Sequence, residues 1–132
     1  MAYLTAAQLD TGHLPSDVQN KATEVEKDQA ISAASAEADS YLRAAGYTLP
    51  LTTWGDDLRS NVGWLAAFRL ISKLQMLPEP ADKSAPYINY KAAMAWFNAL
   101  AAGKVSLDVA PTLDAEDSAT APEVRSNPKR GW

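Results

Sequence analysis

The feature that most constrains this chain is the unbroken run from Lys21 to Ala45, which contains neither Gly nor Pro and is closed by Gly46. With both backbone-breaking residues absent, and Ala, Glu, Lys and Gln abundant, the run has one good solution, a long helix ended by a left-handed glycine. Val25, Ile31, Ala34, Ala38, Tyr41, Leu42 and Ala45 recur at spacings of three and four, giving one buried stripe. The earlier part, Asn20 to Gln29, is mostly polar and reads as a solvated face or a surface buried only against a partner chain.

The remaining punctuation repeats this helical theme. Thr5 can cap a short helix ending near Gly12, and His13 to Asn20, with Leu14-Pro15-Ser16-Asp17 inside it, reads as a turn. Pro50 forces Leu49 out of the helical region, so Tyr47 to Trp54 is an ordered apolar loop. A helix capped by Thr53 or Asp56 then runs to about Leu77, before Pro78. Leu58, Val62, Leu65, Ala66, Phe68, Leu70, Ile71 and Leu74 make it the central one. Ser84 caps a last helix with Pro86 in its first turn; Tyr87, Tyr90, Met94, Phe97 and Ala101 form its stripe, widened by Ile88, Ala92, Ala95, Trp96 and Ala99, and Gly103 stops it. The expected fold class is all-α: a small bundle of three or four main helices over residues 1–104, followed by an extended C-terminal arm over residues 105–132.

Length and charge narrow the function classes. At 132 residues the chain fits one domain, and its 47% hydrophobic and 21% charged residues are ordinary globular values. Twelve Lys and Arg against sixteen Asp and Glu give a net charge of −4, without the basic footprint of a protein that coats nucleic-acid phosphate or anionic lipid. No Cys is present and only one His, which excludes thiolate zinc sites, cysteine nucleophiles and poly-histidine metal sites. No apolar stretch approaches the ~20 residues that span a bilayer, and the start MAYLTAAQLD reads as neither a basic leader nor a long apolar run, so no membrane role is expected.

Candidate chemistry is sparse. His13, between Gly12 and Leu14, is the one conspicuous general-base candidate, yet no G-x-S-x-G or comparable nucleophile motif accompanies it. An ordinary loop histidine is the simpler account. Asp56-Asp57 and Glu37 with Asp39 are neighbouring carboxylates; helix-start acids favoured by the dipole explain the first pair more simply than a cation site. Tyr87, Tyr90, Trp96 and Phe97 are interleaved with one base only, Lys91, so core packing accounts for them better than base stacking. Arg69, set in an apolar helix, is expected to pair with a carboxylate, Asp39 or Asp57. The expectations are therefore no catalytic residues, no cofactor and no metal.

The arm has its own pattern. From Val105 to Val124 it carries five acids, Asp108, Asp114, Glu116, Asp117 and Glu123, and no base; Arg125, Lys129, Arg130 and Trp132 then make a basic, aromatic tip. A small, acidic stretch of this kind cannot bury enough apolar surface to fold alone. Partner binding is expected at Arg125, Asn127, Lys129, Arg130 and Trp132, because Arg and Trp commonly anchor interfaces.

Several stretches together resemble the small neck protein family of Mu-like phages and prophages, a head–tail connector family. They are Met1-Ala2-Tyr3-Leu4-Thr5, the run from Ala38 through Gly46 to Leu51, Ala67-Phe68-Arg69-Leu70, Tyr90 to Trp96, Ala101 to Leu107, and the terminal Arg125 to Trp132. The family tends to end on a phenylalanine after a longer Arg-aromatic-Ser-Arg stretch, whereas this chain ends Lys129-Arg130-Gly131-Trp132. The resemblance implies a virion protein of the neck, present in host cytoplasm during assembly. It also implies a homo-oligomeric ring of about twelve copies that docks on the portal protein, receives the next neck or tail component, and lets DNA pass without specific binding. A small monomeric helical regulatory or anti-host binding protein is the alternative class.

Overall fold

The computed structural model describes residues 2–107. The described chain is all-helical: α1 (Ala6–His13), α2 (Ser16–Lys21), α3 (Glu24–Ala44), α4 (Asp56–Lys73), a 3-10 turn (Ala81–Lys83) and α5 (Ala85–Ala101), with no strand among the described residues. The expected all-α class is therefore observed, with three long helices and two short ones.

Local chemistry sets the helix starts. Thr5 and Gln8 form a capping box at α1: the Gln8 amide donates to Thr5 Oγ1 at 3.1 Å and the Thr5 amide donates to Gln8 Oε1 at 2.9 Å. Thr23 and Glu26 do the same at α3, at 3.1 and 2.9 Å. That box corrects the expected start at Lys21. The run without Gly or Pro holds two helices, because Ala22 is extended and Thr23 opens a new one. Likewise Ser16–Lys21 is a short helix where a turn was expected, closed against α1 by Gln19, whose Nε2 donates to the carbonyls of Asp10 and Leu14. Ser84 caps α5 as expected. Neither Thr53 nor Asp56 caps α4; Gly55 holds the cap position without a side-chain bond.

All three long helices end in the same double turn, in which the second residue past the cap donates back to the carbonyl five residues earlier. Tyr47 donates to Leu42, Met76 to Ile71 and Lys104 to Ala99, at 3.0, 3.0 and 2.9 Å. The left-handed residue is Gly46 in α3 and Gly103 in α5, but Gln75, at φ +58°, in α4. This turn is why α4 stops at Lys73, short of the expected Leu77.

α3, α4 and α5 pack against one another, and α1 lies on α3 and α4. α4 is central, as expected, burying Leu58, Val62, Leu65, Ala66, Leu70 and Ile71. α3 contributes Ile31, Ala34, Ala38 and Leu42. Val25 falls outside that stripe and is 64% exposed, since it sits in the first turn of α3 while Val18 and Ala22 fill the core there. The stripe of α5 is rotated from the expected one: Ala93, Phe97 and Leu100 are buried, Tyr87, Tyr90 and Met94 half-buried, and Ile88, Ala92 and Ala95 exposed. Lys27, expected on a solvated face, is buried with its Nζ 3.0 and 3.1 Å from the two carboxylate oxygens of Asp10.

The segment before α1 is bolted in place by Tyr3. Its amide donates to Ser35 Oγ at 3.1 Å, its hydroxyl donates to Asp39 Oδ1, and its carbonyl accepts from Trp54 Nε1 at 2.9 Å. The Trp54 ring meets the Tyr3 ring edge-on at 4.9 Å. Burial, then the bond to Asp39, pushes the Tyr3 hydroxyl far above the usual phenol range, so it stays protonated and donating.

Candidate functional site

Besides the Tyr3 cluster, three places among the described residues bring polar or aromatic groups together. The first is a cleft of about 270 Å³ between the α1–α2 turn and the facing sides of α4 and α5. Leu14, Pro15, Trp64 and Pro86 supply its apolar walls, with His13 and Asn89 beside them. His13 lies against Gly63, where a Cβ would overlap the imidazole ring. Its Nε2 is 3.0 Å from the Ser60 carbonyl, an acceptor, so Nε2 carries the proton. Trp64 closes on the imidazole edge-on at 4.4 Å.

Burial holds His13 below the usual imidazole range, and the backbone groups of Ser60 and Gln8 oppose this only in part. Its buried Nδ1 has no hydrogen-bond partner. Asp17 in the following turn is bonded to the amide of Val18, and no carboxylate lines the cleft. The imidazole thus packs between α1 and α4 with its neutral form favoured.

The second place is an aromatic layer where α4 meets the first turns of α5. Phe68 stacks on Tyr90 at 4.2 Å, and Tyr87 stands 5.9 Å from Phe68, with the Lys91 ammonium 6.0 Å from the Tyr87 ring centre. Tyr41 of α3 packs on Phe97 at 5.4 Å, its hydroxyl raised above the usual range by burial and then by Glu37 and Tyr90. These rings pack on one another, but of the four aromatics expected in the core only Phe97 is buried; Tyr87, Tyr90 and Trp96 are half-buried. Arg69, beside Phe68, pairs with Glu37 at 2.8 Å rather than with Asp39 or Asp57. Asp39 is taken by the Tyr3 hydroxyl, so Glu37 and Asp39 turn to different partners. Asp56 binds Arg59 one turn on, and Asp57 accepts from the Leu58 amide at 2.7 Å, as helix-start acids do.

The third place is the root of the arm. After the double turn at Gly103 the chain folds back, Leu107 is buried, and its amide donates to the Tyr47 hydroxyl at 3.0 Å. Tyr47 follows α3 and Leu107 follows α5, so residues 105–107 lie at the end where α3 and α5 finish. Arg125, Asn127, Lys129, Arg130 and Trp132 all lie outside the described residues.

Sequence reasoning missed the cleft. One signal for it was available: Gly63 is a lone glycine inside a strongly apolar helix, which commonly marks a close approach by another group. Pro86 and Asn89 carried no signal, because their place depends on how α5 crosses α4.

Residues 3–126 match the family model described as Bacteriophage Mu, Gp36. The chain belongs to this family. No curated protein matches it. As a member of the bacteriophage Mu Gp36 family it is a phage protein, which agrees with the Mu-like resemblance. The match spans the whole helical bundle, the arm root and the acidic part of the arm, reaches Arg125, and stops before Asn127, Lys129, Arg130 and Trp132. No described helix of this Gp36 family member is long and apolar enough to cross a membrane.

Proposed function

We propose that this Gp36 family chain is a structural component of the phage virion, a head–tail connector that docks on the portal as a ring and forms part of the DNA channel. The observation that carries the reading is the anchored arm root. A folded body that fixes Leu107 against Tyr47 gives the following residues a defined point of departure toward a neighbour. A connector needs such a body plus a reaching segment, since contacts between linked subunits add avidity once the assembly closes. The wider neck resemblance and the family's phage origin support the same role. In this reading Arg125, Lys129 and Arg130 pair with acidic portal or neighbouring surface, Asn127 adds hydrogen bonds, and Trp132 is the apolar anchor. The chain acts without catalysis, cofactor or metal, and its net negative charge suits a channel through which DNA slides without holding to phosphate.

Co-sedimentation with portal-containing heads of the same phage tests this. The full chain should pellet with heads at a stoichiometry near a dozen per head, and a chain ending at Val124 should not. If neither form pellets, the connector reading is wrong. The small monomeric regulator would then be the class to pursue.

A further inference from the structure

We infer that the cleft between the α1–α2 turn and α4/α5 is the seat of the chain's own basic–aromatic segment, Arg125–Trp132, with Trp132 inserted between Pro15, Trp64 and Pro86 in the unassembled subunit. Size is the first argument. At about 270 Å³ the cleft is at the small end of sites that hold small molecules, with room for one large side chain.

Chemistry is the second. The lining offers proline and indole surface, one amide at Asn89, and an imidazole kept neutral by burial; no lining side chain is charged. An indole face attracts aromatic edges and cations and repels carboxylates. Those preferences reject the acidic stretch Asp108 to Glu123 and suit the segment in which three cations accompany a ring. Asp17, two residues after the lining Pro15, and Asp82, three before the lining Ala85, are both exposed.

Reach is the third argument, and it favours the same chain over a second copy. The cleft lies at the start of α5 and the arm root at its end; Asn89 and Ala101 are about 18 Å apart along the helix axis. Residues 108–124 can extend to about 55 Å. A segment tethered within reach of its site is presented at an effective concentration of about millimolar, which a free second copy at micromolar concentration does not match. The inference does not depend on the connector reading, because it concerns the isolated subunit.

The test is NMR on the full chain, comparing wild type with Trp132→Ala. The substitution should shift the Gly12 amide, the Trp64 indole and the Asn89 side-chain amide, and the difference should persist unchanged over a hundredfold dilution. The chain has no Cys, so Ser126→Cys accepts a single nitroxide label, which should broaden the same signals. Neither substitution touches a described residue. Unmoved cleft signals, broadening confined to other surfaces, or shifts that disappear on dilution would each overturn the inference; the last would make a second copy the occupant. Head binding is a separate readout, so loss of cleft docking with heads still bound would leave the connector role standing.

Discussion

Gly63 and His13 are the clearest case of two residues that only make sense together. The imidazole occupies the space a Cβ at 63 would need, and it is held by the Ser60 carbonyl and the Trp64 ring, so moving it aside breaks both contacts. Gly63→Ala should therefore destabilise the bundle by about 2–3 kcal/mol, although alanine is the better helix former. Adding His13→Ala should return more than half of that loss, measured by urea unfolding as a double-mutant cycle. Additive losses would show that the two do not share the space. The same histidine makes stability depend on pH. Its folded-state pKa lies below the unfolded value, so the unfolded chain takes up the proton first. The stability it contributes is complete above about pH 6.5 and is lost as pH falls through the folded value. Thermal unfolding at pH 7.5 and 5 should show a larger drop for wild type than for His13→Gln. Equal drops would place the titration elsewhere.

At the scale of elements, the shared double turn provides an internal comparison. Gly46 and Gly103 adopt left-handed conformations at little cost, whereas Gln75 carries the penalty of a side chain there. Gly46→Ala should cost about 1 kcal/mol and Gln75→Gly should add about 0.5–1 kcal/mol, read as opposite shifts in the denaturation midpoint. The contrast also marks what the sequence could disclose. Helix ends at Gly46 and Gly103, the Ser84 cap and the buried face of α4 follow from local chemistry and are legible in order of residues alone. The end at Gln75 is not, because no residue type announces it. The break at Ala22 was legible in principle as the Thr23 and Glu26 capping box, but the absence of Gly and Pro masked it. The offset stripe of α5 and the burial of Lys27 depend on how helices cross, and on Asp10 arriving from α1, which spacing along one helix cannot contain.

At the scale of the whole molecule, the described chain closes on Leu107, and the proposed role of the residues beyond it can be tested apart from the stability of the bundle. Leu107 is 7% exposed but sits after the last described helix, joined to the rest through Tyr47 in the α3–α4 loop. Burying a leucine contributes about 1.5–3 kcal/mol, yet contacts made by a chain end can open without the core following. Leu107→Asp should therefore release the arm root locally. Helical content by circular dichroism should be unchanged and the midpoint of thermal unfolding lowered by only a few degrees. If the arm works from a fixed point of departure, the same variant should pellet with portal-containing heads far less than wild type. Tyr47→Phe, which removes only the hydroxyl that holds the Leu107 amide, should fall between the two. Full head binding by a stably folded Leu107→Asp chain would mean that the arm needs no fixed root, and the anchor would then serve the bundle alone.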